Sequence, residues 1–257
     1  MKKYLFFLFP ALLLLMNISS SAQTPVNYIQ VSQDLLFAAK TDDSTEAFTA
    51  LLSAASEDEL AAQLNTDDKR LAFWLNIYNA YTQFTLKKNP ERYKKRSAFY
   101  KEKMVHIAGK RISLDKVEHG ILRHSQVKLA LGYLRKWFPG KFEKKFRVKK
   151  RDWRIHFALN CGAKSCPPIA FYKPEQINQQ LKLSTINYLK SDCVYDSVRN
   201  RVGVPALMSW FRGDFGGKKN IIPILREYKV LPETASPKVY FKKYDWSLYL
   251  DNFKAVE

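Results

Sequence analysis

The sequence has few cysteines and few acidic residues for its length, and both shortages limit what the protein can be. Only 3 of its 257 residues are cysteine, too few for a small disulfide-scaffolded fold, and a chain of this length can be stabilised by its core instead. Aspartate and glutamate total 24 against 43 lysines and arginines, which gives a formal net charge of +19. Such an excess favours anionic partners.

The basic residues do not come with the features of a nucleic-acid-binding protein. They are spread over many segments, and no finger, stacking-aromatic or helix-turn-helix motif accompanies them. We therefore expect a solvated basic surface, no nucleic-acid partner, and an unassigned substrate for which the net charge favours an anion. The sequence does not specify an oligomeric state.

Long apolar runs are also scarce, and the one present stands at the start of the chain. Two lysines precede an apolar core from Leu5 to Met16, and small residues at 19–22 follow it, as in a cleaved export signal. We expect residues 1–22 to be a signal peptide and residues 23–257 to be one soluble domain, exported to the periplasm or the extracellular space. No stable membrane insertion is expected after the signal is removed.

Helix signals fill the first half of the chain. We predict helices over residues 26–40, 44–54 and 56–64, the last opened by a capping box of Ser56 and Glu59. The apolar and aromatic stretch from Leu71 to Leu86, which ends at Asn89-Pro90, predicts a central buried helix.

The second half mixes helices with short strands. Residues 104–114 predict a hairpin turning at Gly109, and residues 155–160 alternate so as to predict a strand with His156 turned away from the apolar side. Further elements are a helix carrying His119, a helix over 127–137, a helix over 174–190, strands over 193–196 and 201–204, a helix capped by Asn220 that contains residues 224–228, and a strand over 239–246. The fold class expected is α+β, a single mixed domain with a helical N-terminal half and a small, largely antiparallel sheet.

The central helix carries a polar line on an otherwise apolar surface. Asn76, Asn79 and Gln83 follow one another at spacings of three and four residues and so share one face. Asparagine is a poor helix former, so buried amides at these positions need hydrogen-bond partners. Two roles stay open, bonding to neighbouring loops, which we favour, and a direct part in a site.

The loop from Cys161 to Cys166 is the candidate centre of chemistry. In an exported chain with three cysteines at least one stays unpaired, and the sequence leaves open the pairs 161–166, 161–193 and 166–193. If Cys161 is a thiol, Gly162 gives a substrate carbonyl room to approach, and His119 or His156 can serve as base, His119 being preferred.

A histidine base needs an orienting group, and the sequence offers several. Asn76, Asn79 or Asp214 can fill this role. Glu118 is poorly placed for His119, because consecutive helix residues point about 100° apart.

Five stretches support a family resemblance when they are taken together and in order. They are Leu71 to Ala80 (LAFWLNIYNA), Glu118 to Arg123 (EHGILR), His156 to Pro168 (HFALNCGAKSCPP), Trp210 to Phe215 (WFRGDF) and Tyr244 to Leu248 (YDWSL). With them the chain resembles the bacterial and plant family catalogued as domain of unknown function five-four-seven. The resemblance implies a fold distantly like papain-like and transglutaminase-like cysteine enzymes, and no settled activity.

Two functions from different classes follow. The first is a thiol-dependent hydrolase or acyl transferase for amides or esters, with Cys161, His119, His156, Asn76 and Asn79 as catalytic candidates. Its binding candidates are Cys166, Glu118 and Asp214. The alternative is a non-catalytic binding or structural domain with a disulfide between Cys161 and Cys166 and both histidines in the core. A zinc set of two histidines and two cysteines is disfavoured by the cysteine spacing, so we expect neither metal nor cofactor.

Overall fold

Four helices build the first third of the fold. The computed structural model describes residues 25–256, and the predicted signal peptide, residues 1–22, lies outside the described residues. The helices are α1 (Tyr28–Thr41), α2 (Glu46–Ala54), α3 (Glu57–Gln63) and α4 (Asp67–Lys88). The predicted capping box is confirmed, since the Ser56 side chain accepts from the Glu59 amide and the Glu59 carboxylate accepts from the Ser56 amide.

Helix α4 forms the centre of the larger hydrophobic core. Every residue from Leu71 to Gln83 is buried, so this helix is covered on all sides, as its apolar sequence predicts. The Thr66 side chain caps its start by accepting from the Lys69 amide, and the helix stops at Asn89 before a proline. The polar line of α4 is therefore enclosed in protein and must find its partners there.

A hairpin and a π-helix follow α4. After α5 (Arg96–Lys101), strands β1 (Val105–Ile107) and β2 (Lys110–Ile112) pair antiparallel. Gly109 lies in their turn at φ +65°, as predicted. Residues Lys116–Leu122 then form a π-helix, a rare widened turn found frequently at functional sites. It carries Glu118 and His119.

The second half holds further helices and a three-stranded sheet. These helices include α6 (Lys141–Phe146), a 3₁₀ helix (Trp153–Phe157), α7 (Ile177–Asp192), α8 (Leu207–Trp210) and α9 (Ile221–Glu227). Strands β3 (Val194–Asp196) and β4 (Arg201–Val204) pair antiparallel, and β5 (Lys238–Phe241) pairs parallel to β4. The expected α+β class is confirmed. No helix within residues 25–256 is long and apolar enough to cross a membrane.

The strand predicted over 155–160 is wrong. The Asp152 side chain accepts from the Arg154 amide at 2.9 Å and so starts the 3₁₀ helix Trp153–Phe157. Residues 155–160 are buried throughout, His156 among them. The alternation of polar and apolar residues therefore reflects no exposed strand face; the polar side chains are buried with partners of their own.

The helix predicted over 127–137 is also wrong. These residues form turns closed by an isolated antiparallel bridge between Gln126 and Arg135. Leu131 and Gly132 have φ of +51° and +87°, which no right-handed helix allows. The apolar residues of this stretch do not form a core-facing helix stripe.

Candidate functional site

A cavity of about 300 Å³ lies where the π-helix, the 3₁₀ helix, the cysteine loop and α8 meet. Its volume is at the lower end of small-molecule sites, about 300–1,000 Å³. Aromatic side chains line much of it: Tyr78, Tyr100, Trp210, Phe211, Tyr244 and Trp246. Its polar lining consists of Asp115, Glu118, His119, Lys128 and His156, with Cys161 and Cys166 in the wall.

A larger groove, about 930 Å³, runs between the α1–α2 connection and β1. Its lining combines polar and charged residues of the α1–α2 connection with side chains of α1, α2 and α4, and it contains none of the predicted catalytic or binding residues. The smaller cavity is therefore the candidate site. It joins five of the eight predicted site residues, namely Glu118, His119, His156, Cys161 and Cys166.

The cysteine loop contains a disulfide. The sulfurs of Cys161 and Cys166 are paired, which leaves Cys193 as the free cysteine among residues 25–256. The Tyr244 hydroxyl lies 3.4 Å from Cys161 Sγ and 3.1 Å from Cys166 Sγ. A bridged sulfur carries no thiolate, so in this state Cys161 is part of the cavity wall. Burial raises the pKa of the Cys193 thiol to about 12, which keeps it protonated.

Asn79 fixes the cysteine loop to α4. Its Nδ2 donates to Ala158 O at 3.0 Å, and its Oδ1 accepts from the Asn160 amide at 2.9 Å. Asn160 in turn donates to Pro167 O at 2.8 Å and accepts from the Gly162 amide at 2.8 Å. These bonds satisfy buried backbone groups on both sides of the disulfide.

Asn76 plays the same part for the next stretch of chain. Its side chain donates to Tyr172 O at 2.9 Å and accepts from Tyr172 N at 3.0 Å. Neither Asn76 nor Asn79 lines the cavity or hydrogen-bonds a histidine. Both amides hold backbone, the loop-bonding role that the sequence left open.

Gly162 is required by packing inside the protein. It has φ +78°, and a Cβ on it would lie 2.9 Å from Leu86 Cδ1. The space beside its Cα is therefore taken up by α4. This arrangement differs from the one expected, in which the missing side chain admits a substrate carbonyl.

His156 is held by Asp214. Its Nε2 lies 2.8 Å from Asp214 Oδ2, and its ring stacks on Phe211 with centroids 4.0 Å apart. A carboxylate only accepts, so Nε2 carries the hydrogen and Nδ1 has the lone pair. Nδ1 has no hydrogen-bond partner among residues 25–256, and the residue lines the cavity. Burial lowers the pKa of His156 despite the opposing effect of Asp214, so the ring is neutral.

His119 has the opposite tautomer. Arg123 Nη1 lies 2.8 Å from His119 Nδ1, and because a guanidinium only donates, Nδ1 accepts and Nε2 carries the hydrogen. Burial, followed by the charge of Arg123, lowers the pKa of His119 to about 3. His119 is thus a neutral ring whose acceptor nitrogen is taken by Arg123, whereas His156 Nδ1 has no hydrogen-bond partner among residues 25–256.

Asp214 is linked to both histidines, to His156 directly and to His119 through Arg123. Arg123 is fully buried and donates to Asp214 from Nε at 2.7 Å and from Nη2 at 3.2 Å, while Arg151 donates at 2.7 Å. Burial alone would raise the pKa of Asp214, but hydrogen bonds from His156 and Arg123 outweigh it and lower the pKa to about 2. Asp214 is therefore ionised and lies behind the cavity wall.

Glu118 differs from the other charged groups of the cavity. Lys128 is paired with Asp115 at 2.7 Å, whereas no lysine or arginine of residues 25–256 lies within 4.0 Å of the Glu118 carboxylate. Its neighbours are the Tyr78 hydroxyl at 3.4 Å and neutral His119, whose Nδ1 is 3.4 Å away. The Glu118 side chain is only 14% exposed, so it is a largely desolvated carboxylate without a cation.

Sequence reasoning missed several residues of the site. Arg123 and Tyr244 lie inside the recognised stretches, which was the available signal, but a buried arginine cannot be told from the many surface ones by sequence. Arg151 belongs to a basic run and gave no signal. Within residues 25–256 no group of three or more histidine, cysteine, aspartate or glutamate side chains is arranged to hold a metal.

The comparisons with known proteins support the family resemblance, and three of the five recognised stretches lie inside the matched region. A family model described as "Protein of unknown function, DUF547" matches residues 61–189, half of the chain. The match spans α4, the π-helix and the cysteine loop, while Asp214 and Tyr244 lie beyond it. No curated protein and no solved structure matches significantly. The chain belongs to the DUF547 family.

Proposed function

We propose that the protein is a binding module whose disulfide-walled cavity takes a small organic cation with an apolar body. The observation that carries the proposal is the Glu118 carboxylate, desolvated and without a cationic partner inside a cavity of aromatic side chains. Burying an unpaired charge is costly, so a ligand that supplies the opposite charge is favoured.

The other ionisable groups discussed for the cavity are paired or uncharged, so a ligand has to complement the charge of Glu118. Lys128 is neutralised by Asp115, and the pKa of both cavity histidines is lowered, so both are uncharged. The Arg123 guanidinium directs its hydrogen bonds to Asp214 and His119 and none to the Glu118 carboxylate. The anionic ligand expected from net charge therefore lacks a free cation in this cavity.

The aromatic wall suits an ammonium group as well. Trp210 and Trp246 stack with centroids 5.5 Å apart, and Tyr244 lies 4.8 Å and 4.6 Å from them. Arg96 already lies 4.9 Å above the Trp246 ring, a cation–π contact at the rim. Such contacts contribute about 0.5–2 kcal/mol each, more when water is excluded.

Fluorescence titration of the oxidised protein tests the proposal. We expect benzyltrimethylammonium to quench tryptophan emission saturably, phenylacetate to have no effect, and Glu118→Gln to weaken binding about 10-fold or more. Glu175→Gln, at an exposed position, is the matched control, and circular dichroism checks folding. Equal binding of cation and anion, or unchanged binding in a folded Glu118→Gln variant, rejects the proposal.

A second candidate is thiol-dependent acyl transfer or hydrolysis by the reduced protein. It is supported by His156, whose Nε2 hydrogen is held by Asp214 at 2.8 Å and whose other nitrogen is free to accept a proton beside the cysteine loop. A dithiol reductant would first open the bridge, giving two thiols and a cyclic disulfide of the reductant.

The acyl transfer then needs only the substrate and the water or amine that accepts the acyl group. Cys161 transfers its proton to His156 Nδ1, and the sulfur forms a bond to the carbonyl carbon of an amide or ester. The leaving amine or alcohol departs with the proton from His156. Water or an amine then attacks the thioester carbon, the carbon–sulfur bond breaks, and the proton lost by the attacking group passes through His156 to the Cys161 sulfur.

Two matched variants test this candidate without a reductant. Cys166→Ser leaves Cys161 as a free thiol, so we expect it to hydrolyse p-nitrophenyl acetate and to be labelled quickly by iodoacetamide near neutral pH. Cys161→Ser removes the nucleophile and leaves Cys166 as the free thiol, so it should not hydrolyse the ester, and its loop should be labelled more slowly because Cys166 is buried. Equal ester hydrolysis by the two variants counts against the enzyme.

We also propose that the protein is exported. A disulfide is typical of proteins in oxidising compartments, and residues 1–22 have the composition of a signal peptide. N-terminal sequencing of protein recovered from the producing cells should begin at Gln23. A start at Met1 in the mature protein contradicts it.

A further inference from the structure

Among residues 25–256, one loop carries seven of the fourteen exposed large hydrophobic residues. We define the docking loop as residues 127–138. Four of its side chains are largely in solvent: Leu129 is 88% exposed, Leu134 62%, Trp137 88% and Phe138 92%. Clusters of large exposed apolar residues mark contact sites on soluble proteins.

The docking loop has a fixed backbone. The Val127 amide donates to Leu134 O at 2.9 Å, and the Gly213 amide donates to Leu131 O at 2.7 Å. Arg151 also holds the loop by donating to Gly132 O at 2.9 Å. The apolar side chains are thus held out into solvent by an ordered turn.

The surroundings of the loop are strongly basic. No aspartate or glutamate occurs from residue 119 to residue 142. The next acid, Glu143, is buried and paired with Lys136 at 3.1 Å. Arg135, Lys141 and Lys144 are exposed, so the apolar tip is flanked by free positive charge.

We infer that the docking loop binds the surface of an anionic lipid bilayer. Tryptophan and phenylalanine favour the boundary between headgroups and acyl chains, and lysine and arginine beside them pair with phosphates. A second copy of this chain fits less well, because it would bring the same basic surface against this one.

Docking would also position the cavity. Lys128 and Leu129 belong both to the loop and to the cavity lining, so the mouth of the cavity would face the bilayer surface. If the proposed binding function holds, its organic cation would be drawn from that interface. The docking itself requires no ligand, so the two proposals fail independently.

Vesicle sedimentation tests the inference. We expect the protein to sediment with vesicles of phosphatidylcholine and phosphatidylglycerol, and weakly with phosphatidylcholine alone. Trp137→Ser with Phe138→Ser should lower the partition coefficient about 100-fold, whereas Val198→Ser, at another exposed apolar position, should not change it. Arg135→Gln and Lys141→Gln should each lower it about 5-fold, and Lys218→Gln, exposed elsewhere, much less.

The Trp137→Phe variant distinguishes insertion of the docking loop into the bilayer from electrostatic attraction to the bilayer surface. It should still sediment with the vesicles but lose most of the blue shift of tryptophan emission that the wild type shows on binding. Vesicle binding that is unchanged in the Trp137→Ser, Phe138→Ser variant overturns the inference. Concentration-dependent dimerisation that this variant abolishes, with no vesicle binding by the wild type, also overturns it and assigns the loop to a second copy.

Discussion

Replacing Asp214 by asparagine should remove much of the stability of the site. All groups that contact the carboxylate are donors: Arg123 Nε and Nη2, Arg151 Nη1 and His156 Nε2, at 2.7–3.2 Å. An asparagine can accept with one oxygen only, and in either orientation its amide nitrogen faces a donor. Arg123, whose side chain is fully buried, then keeps its charge without a counterion.

The magnitude follows from the burial of both partners. Breaking a buried ion pair by removing one member costs about 3–5 kcal/mol, because the other charge stays desolvated. That is a large part of the roughly 5–15 kcal/mol that stabilises a typical domain. For a chain of this size a 4 kcal/mol loss lowers Tm by roughly 10 °C.

Equilibrium unfolding in urea at pH 7, followed by circular dichroism, measures the loss. Asp196→Asn is the matched control, because Asp196 pairs with Arg199 and Arg201 at the surface, where ion pairs contribute little. The pKa of Asp214 is about 2, so its contribution is present above the unfolded pKa, is lost as pH falls through about 2, and is constant between pH 5 and 7. A loss below about 1 kcal/mol refutes the reasoning.

Two further predictions concern buried groups. The pKa of His119 is about 3 in the folded protein, against its ordinary value of 6.5, so the unfolded chain binds the extra proton and stability falls as pH drops from 6.5 toward 3. Between pH 7 and 5 this contributes about 2 kcal/mol of loss, which His119→Gln should abolish in parallel urea titrations; equal slopes in both proteins contradict it. Asn79→Ala leaves the Asn160 amide and the Ala158 carbonyl buried without partners and should cost about 3 kcal/mol, against little for exposed Asn178→Ala. An Asn79→Ala loss no larger than that of the control refutes it.

Local signals predicted the helices and the hairpin because their causes lie close in sequence. The Ser56 capping box, the stop at Asn89-Pro90 and the turn at Gly109 each depend on neighbouring residues. The two errors have different causes, one local and one distant in sequence. The strand at 155–160 failed because the Asp152 side chain starts a 3₁₀ turn. The helix at 127–137 failed because the carbonyls of Leu131 and Gly132 accept from Gly213 and Arg151, which lie far along the chain.

The site was only partly predictable from the sequence, because some of its contacts join residues that are far apart along the chain. Glu118, His119 and the cysteine loop stand in recognisable stretches, and the structure brings them to one cavity. The pairing of Arg123 with Asp214 spans 91 residues, and the roles of the two histidines depend on it. No local pattern specifies such a contact, so the sequence could name His119 and His156 but not their tautomers.

The state of Cys161 tests the account most directly, because a binding cavity walled by a disulfide and a thiol enzyme differ at that sulfur. The protein should be unfolded without reductant, alkylated with iodoacetamide, and analysed by intact mass spectrometry. The account predicts one alkyl group, on Cys193, and three after reduction. Three alkyl groups without reduction would contradict it.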